Sequence, residues 1–322
     1  MEIKQDGARQ EKLRNVLLLL VRLGLWGDRE EHNTRLNLTE EDWNDVFRLA
    51  MQHTVTGLAF QGVSHLPDSQ IPPQSLLVRW MAETDAVERR NKRMNGVLGQ
   101  LYNIFHEKGL NPILQKGQGV ANYYESPLLR VCGDIDLYFN NKKAWDDALD
   151  FLRKNNVTFT KQADEGISYR WQGVDIEHHS RLFDLYNPFL QGFVGKLEGQ
   201  KGYRHTALST YPSVIVITPS PFLDILLQSL HILKHSVSRG IGLRQMCDMA
   251  RSCYKLHGEI DSEEMKAVCK KIGLHRWCPL LHTFLIDYLG LPKDCLPYED
   301  TAPSAAPLAE IVWRGGNFGQ YD

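Results

Sequence analysis

The 322-residue sequence lacks the marks of several common protein classes. Its six cysteines include no CxxC pair, so a zinc ribbon is not expected, and nothing in the sequence suggests secretion. The apolar run from Val16 to Val21 covers six residues before Arg22, which is too short to cross a bilayer, and no AxA-like cleavage site follows it. These absences predict a cytoplasmic protein with reduced thiols and no membrane partner.

The sequence also lacks a strong charge bias. Lysine and arginine number 37 against 39 aspartates and glutamates, which gives a formal net charge of −2 at pH 7. Because proteins that bind long nucleic acids usually carry a basic excess, long nucleic acid is not an expected partner. No GxSxG, Walker A or GxGxxG motif occurs in a fitting context, so nothing points to a serine hydrolase, a P-loop protein or a dinucleotide-binding protein.

The spacing of apolar residues divides the chain into three segments. Residues 1–109 have helical patterns, with Thr39 as a helix N-cap and Gly109 ending a long helix. Residues 110–218 contain short strand patterns, and residues 219–322 are again predicted to be helical. The predicted fold class is α/β (α+β), with a small mixed-sheet core flanked by N-terminal and C-terminal helical segments.

Runs with the period of a strand define the predicted sheet. A two-residue hairpin signal, Gln172-Gly173, joins two of them. No terminal helix is predicted at Arg314–Gly319. The strands are predicted at Pro112–Leu114, Asp134–Phe139, Ile167–Trp171, Val174–His178 and Val214–Ile217.

Two carboxylates in the second of these strands are the main candidate site. Asp134 and Asp136 are two residues apart, so their side chains point to one face and repel each other unless a cation lies between them. Oxygen ligands suit Mg²⁺, and phosphoryl-transfer sites hold two such ions about 3.5–4 Å apart. A third carboxylate is expected from the hairpin strand, where Asp175, Glu177 and His179 share one face. Glu177 is the first choice and Asp175 the second.

The simpler alternative is a solvated strand face that merely carries two aspartates. The sequence context favours the metal site, because a glycine turn precedes the pair and a carboxylate-bearing strand follows. Lys116-Gly117 lies where a strand runs into a helix, so backbone N–H groups there could face a phosphate. The alternative for this pair is an ordinary turn with an exposed lysine.

Several of these residues resemble the core of one protein family, the uncharacterised bacterial nucleotidyltransferases of the polymerase β superfamily. The first similar residues are Leu114-Gln115-Lys116-Gly117, Tyr124, Pro127, Arg130 and Gly133-Asp134-Ile135-Asp136-Leu137, which resemble the family's LKG…Y…R…DIDLL. The next are Glu177-His178-His179-Ser180-Arg181-Leu182, similar to its D/E-x-H-x-R-L strand. The later ones are His231, His235, Leu243-Arg244-Gln245, Asp248 and Gly315-Gly316-Asn317-Phe318-Gly319. In this sequence Gly117-Gln118 stands where the superfamily usually has Gly-Gly or Gly-Ser.

The resemblance implies transfer of a nucleoside monophosphate from an NTP, with ATP as the expected donor, and release of pyrophosphate. It implies two Mg²⁺ ions, with Mn²⁺ as the alternative, held by Asp134, Asp136 and Glu177 or Asp175. Lys116 would contact the phosphates together with Gly117. The acceptor would be a small molecule, a sugar or a protein side chain. A catalytically silent nucleotide-binding or scaffold protein of the same fold is the alternative.

Four more residues are candidates for the nucleotide cleft. His231 and His235 are one helical turn apart, which is also a zinc spacing, but Ile232 stands where a zinc peptidase needs glutamate. Arg130 could contact phosphate, orient a carboxylate or form a structural ion pair. Arg244 could reach the cleft or pair with Asp248 four residues on. The basic run Arg89–Arg93 is predicted to be a solvated helix face.

Overall fold

The computed structural model describes residues 2–27, 36–162, 165–183, 185, 187–238 and 240–316. Asn317 to Gly319, part of the resemblance noted above, lie outside the described residues. The described chain folds into helices around one mixed, seven-stranded sheet, which confirms the predicted α/β (α+β) class. Every helix in these ranges is too short or too polar to span a membrane.

The N-terminal segment is helical, as predicted. Thr39 and Asp42 form a reciprocal capping box at the start of its second helix. The long fourth helix buries Leu98 and Phe105 on one face and ends before Gly109, whose φ of 70° suits glycine. The helices are α1 (Glu2–Trp26), α2 (Glu40–Gln52), α3 (Thr56–Val63) and α4 (Gln74–Glu107).

The central segment forms the sheet, in the strand order β3-β4-β5-β2-β1-β7-β6. β2 lies between β5, to which it is parallel, and β1, to which it is antiparallel. The predicted hairpin joins β4 and β5, and positive φ at Gln172 and Gly173 matches its tight turn. The strands are β1 (Ile113–Gln115), β2 (Ile135–Tyr138), β3 (Phe159–Lys161), β4 (Ile167–Trp171), β5 (Val174–His179), β6 (Tyr203–Leu208) and β7 (Tyr211–Pro219). The helices between them are α5 (Gly117–Ala121), α6 (Lys142–Lys154) and α7 (Gln191–Lys201).

The two faces of the sheet have different surroundings. Leu137 and Ile176 belong to a hydrophobic cluster with Phe105 and Phe151, from α4 and α6. Alternation along the strands turns Asp136 to the opposite face, where Tyr138 belongs to a second and larger cluster. The site residues therefore lie on the face that the second cluster covers.

The C-terminal segment supplies helices to the larger cluster. Its members include Leu17, Ile113 and Leu226, so residues from all three predicted segments share one core. The predicted boundaries after residues 109 and 218 remain predictions. The expectation of no terminal helix at Arg314–Gly319 is wrong for Arg314 and Gly315, which form the end of the last helix; Asn317 to Gly319 lie outside the described residues. These helices are α8 (Pro221–Ser236), α9 (Leu243–Leu256), α10 (Ser262–Lys271), α11 (Trp277–Asp287) and α12 (Ala306–Gly315).

One tight backbone approach holds α3 against the segment that leads into β2. A Cβ added at Gly57 would lie 2.7 Å from the carbonyl oxygen of Leu129. We therefore expect Gly57→Ala to destabilise the protein by about 1–3 kcal/mol, as overpacking does. Gly96→Ala in α4 is the matched control, because nothing lies within 4 Å of its added Cβ. This control should stabilise by about 0.5–1 kcal/mol through helix propensity.

Urea unfolding of both variants measures the difference. Equal stability of wild type and Gly57→Ala would contradict the close approach of these backbones.

Candidate active site

Strand register places the polar side chains of the site in a row. Asp136 on β2 pairs with Glu177 on β5 and with Gln115 on β1. Paired residues on neighbouring strands point to the same face. Three adjacent strands therefore contribute Gln115, Asp136 and Glu177 to one line across the sheet.

Two basic groups contact Asp136, which is buried. The Nε2–H of His179 donates to Oδ1 of Asp136 at 2.8 Å. The Nζ of Lys116 lies 3.4 Å from the same oxygen. His179 Nε2 is also 3.6 Å from Oε2 of Glu177, whose Oε1 accepts a hydrogen bond from the Nε2 of Gln162 at 2.8 Å.

The compact ligand group of this site contains a histidine. Asp136, Glu177 and His179 each offer one ligand atom, and these atoms lie within 4.8 Å of one another. Two carboxylate oxygens and an imidazole nitrogen are a donor set that fits a divalent cation. Asp134 is not a member of this group. Sequence reasoning placed His179 on the correct strand face but did not select it; its period-two spacing from Glu177 was the available signal.

The two aspartates differ in how readily they ionise, and Asp134 is half-buried just before β2. Burial raises the pKa of Asp134 to about 6, with further contributions from the charges of Asp136 and Glu177. Burial opposes ionisation of Asp136 as well, but the Lys116 ammonium and the His179 hydrogen bond hold the pKa of Asp136 well below its usual range. The site thus keeps Asp136 ionised and disfavours a second charge on Asp134, and a cation between the two carboxylates would remove that penalty.

Asp175, the second choice for the third carboxylate, lies away from this group. Its side chain is 64% exposed, and Oδ1 is 3.6 Å from Nε of Arg170, its register partner on β4. Of the two candidates, Glu177 is therefore the one that the fold brings to Asp136.

Lys116 and Gly117 form the turn between β1 and α5. Both have positive φ, 46° and 45°, which is unfavourable for lysine but not for glycine. Gln118 follows, with its Nε2 3.5 Å from the backbone oxygen of Asp134. Lys116 therefore contacts Asp136 through its side chain, and Gln118 contacts the backbone of Asp134.

Helix α8 presents His231 to the site. Burial holds the pKa of His231 well below its usual range, and the nearby Lys116 ammonium lowers it further. Asp136 lies within electrostatic reach of the same imidazole. The ring of His235 is 4.3 Å from that of His231. Among the described residues, no third ligand joins this histidine pair in a compact metal group, so the zinc spacing of the two histidines gains no support.

The two candidate arginines differ in their surroundings. Arg130 is buried and forms a bidentate ion pair with Asp248, at 3.0 and 2.6 Å, to which Tyr124 also donates at 2.8 Å. Of the interpretations left open, the structure shows the ion pair. Arg244 instead donates to the backbone oxygen of Val131 at 2.9 Å and lies within electrostatic reach of Asp134.

Helix α4 holds the segment before β2. Buried Asn91 donates from one amide group to the carbonyls of Leu128 and Arg130, at 2.7 and 2.8 Å. The guanidinium of Arg90 donates to the carbonyl of Gly133 at 3.0 Å, and Arg93 donates to the hairpin turn at Gln172. The predicted solvated face for Arg89–Arg93 is confirmed for the four basic side chains, which are exposed although Arg90 and Arg93 donate to carbonyls. It is wrong for Asn91, which is buried.

The raised pKa of Asp134 makes the stability of the metal-free protein depend on pH. The folded-state pKa lies above that of the unfolded chain, so the stabilising contribution is complete below the unfolded pKa and is lost as pH rises through about 6. Asp134→Asn should therefore be more stable than wild type by about 2 kcal/mol at about pH 7.5, with the difference shrinking towards about pH 4.

Urea unfolding in EDTA-containing buffer across this pH range measures the difference. The exposed Asp175→Asn is the control and should stay close to wild type, since exposed substitutions have small effects. A stability gain for Asp134→Asn that does not change with pH would contradict the electrostatic explanation.

Comparison with known proteins identifies a family for this chain. The family described as "Uncharacterised nucleotidyltransferase" matches residues 39–286. No curated protein matches the chain. Among solved structures, the chain is similar to an antigenic nucleotidyltransferase-like protein from Paracoccidioides brasiliensis, with 14% identity, a TM-score of 0.37, and coverage of 62% of this chain and 92% of that one. On the family match, which covers most of its length, the chain belongs to the uncharacterised nucleotidyltransferases.

Proposed function

We propose that the protein transfers a nucleoside monophosphate from an NTP, with ATP as the expected donor, to an acceptor hydroxyl or a protein side chain. The observation that carries this proposal is the convergence of Asp136, Glu177 and His179 in a chain of the nucleotidyltransferase family. The acceptor is a small molecule, a sugar or a protein.

The site's own residues would hold the metal ions. Asp136, Glu177 and His179 would ligate one divalent ion, and Asp134 beside them would serve a second. Mg²⁺ suits the oxygen ligands, and Mn²⁺ accepts the imidazole as well. When bound, such ions neutralise phosphate charge and lower the pKa of an attacking hydroxyl. Burial is the main cause of the raised pKa of Asp134, and the charges of Asp136 and Glu177 add to it, so a cation beside these carboxylates would favour their ionised forms.

The proposed transfer forms one bond at the α-phosphorus and breaks another. The acceptor oxygen forms a bond to the α-phosphorus, and the bond from that phosphorus to the bridging oxygen of the β-phosphate breaks. Pyrophosphate leaves with the bonding electron pair, and the acceptor proton goes to Glu177.

Basic residues around the carboxylates would bind the triphosphate. Lys116 is the nearest ammonium, and the backbone of Gly117 follows it in the turn. Arg244 lies close to Asp134, and His231 close to Asp136. His235 would extend this surface along α8. Arg130 was also predicted to bind nucleotide. Through its ion pair with Asp248 it would instead hold the segment before β2 in place.

Asp136→Asn should reduce transfer by about 10²-fold or more, because each lost anionic ligand removes electrostatic stabilisation of the transition state. Its unfolding midpoint should fall, since Lys116 and His179 lose the carboxylate that they contact. The measurement is pyrophosphate release and label transfer from α-labelled ATP with Mg²⁺ or Mn²⁺, made well below the unfolding temperature. Asp175→Asn is the matched control and should keep wild-type rates.

Full transfer by folded Asp136→Asn would remove the proposal's main support. If wild type binds Mg-ATP in a calorimetric titration but transfers nothing to any acceptor class, the chain is the catalytically silent nucleotide-binding protein instead.

A further inference from the structure

The Lys116 ammonium lies where the metal site would need a cation. Its Nζ is 3.4 Å from Oδ1 of Asp136, one of the residues of the candidate ligand group. Its charge favours the ionised forms of Asp134 and Asp136 and opposes protonation of His231, in addition to the larger effect of burial on each group. One ammonium is therefore within electrostatic reach of both aspartates and of the histidine on α8.

The backbone of Lys116 has an unusual conformation, and its side chain is long and has several rotatable bonds. Lys116 has φ 46° and ψ −141°, a backbone conformation that glycine adopts without strain, at the start of α5. From that position a four-carbon stem carries the charge, and lysine is the more flexible of the two basic side chains. The side chain is 20% exposed, so an incoming anion can reach it.

A divalent ion and this ammonium cannot share Asp136 without repulsion. In the metal-free protein, His179 and Lys116 both contact Oδ1 of Asp136. An ion held by Asp136 would lie close to the Lys116 charge in a buried place, where water screens little. The triphosphate of a nucleotide offers the ammonium another anion and so relieves this conflict.

We infer that Lys116 competes with the divalent ion for Asp136 in the nucleotide-free protein, and that the triphosphate draws Lys116 away. This inference rests on the proposed function. It makes metal and nucleotide binding mutually supportive, since each strengthens the other by the same factor. Lys116 is then a positioning residue for the metal, in addition to a phosphate contact.

Mn²⁺ binding to the full chain without nucleotide tests the competition, with free Mn²⁺ measured by its EPR signal. Lys116→Met should bind Mn²⁺ about tenfold tighter than wild type, a typical coupling factor. The same variant should bind a non-hydrolysable ATP analogue more weakly in EDTA. If Lys116 only contacts phosphate, the variant should bind the ATP analogue more weakly with no change in Mn²⁺ affinity. Tighter Mn²⁺ binding together with weaker analogue binding therefore identifies competition.

Two further variants keep the test decisive. Lys116→Gly removes the strain of the positive φ, which offsets part of the lost contact with Asp136, so it repeats the measurement if Lys116→Met is unstable. Lys154→Met removes an exposed charge at the end of α6 and should leave Mn²⁺ affinity unchanged. The tighter binding must vanish when Asp136→Asn is added.

Unchanged or weaker Mn²⁺ binding in both Lys116 variants would overturn the competition. The proposed transferase activity would still be tested separately, by the loss of transfer in Asp136→Asn. Tight Mn²⁺ binding that remains when Asp136→Asn is combined with a Lys116 variant would also overturn the competition, because the ion would then bind elsewhere.

Discussion

The buried carboxylate of Asp136 is the constraint on which the site depends. An ionised carboxylate that is removed from water needs cations or hydrogen-bond donors in contact with it. In this protein His179 and Lys116 meet that need, one from the neighbouring strand and one from the turn after β1. The unusual backbone of Lys116 follows from the same requirement, because the strained turn carries the side chain that reaches Asp136.

Helices α4 and α9 hold the segment that precedes β2. Asn91 and Arg90 bind backbone carbonyls before β2, and the ion pair of Arg130 with Asp248 ties the same segment to α9. Buried hydrogen bonds of this kind restrict the segment because breaking them leaves polar groups unsatisfied. The helical segments therefore support the site as well as covering the sheet.

Local patterns predicted much of this fold from the sequence. The period-two residues of β2 and β5 placed Asp136 and Glu177 on their strands, and the hairpin and the end of α4 followed from glycine positions. Weaker local signals hid other elements. β3 is a three-residue edge strand with little burial, and α7 contains three glycines and buries only Val194 and Leu197.

The contacts that complete the site depend on residues far apart in sequence. Arg130 and Asp248 are 118 residues apart, and Arg90 is 43 residues from Gly133. The periodicity of a single segment contains no information about such pairs. His179 was within reach of prediction, but its contact with Asp136 depends on the parallel pairing of β2 with β5, which the sequence pattern did not specify.

Anomalous diffraction from crystals soaked with Mn²⁺ and a non-hydrolysable ATP analogue tests the central claim most directly. The account predicts an anomalous peak between Asp136, Glu177 and His179, with the Lys116 ammonium moved from Asp136 to the triphosphate. A peak at His231 and His235, with Lys116 still paired to Asp136, would contradict it.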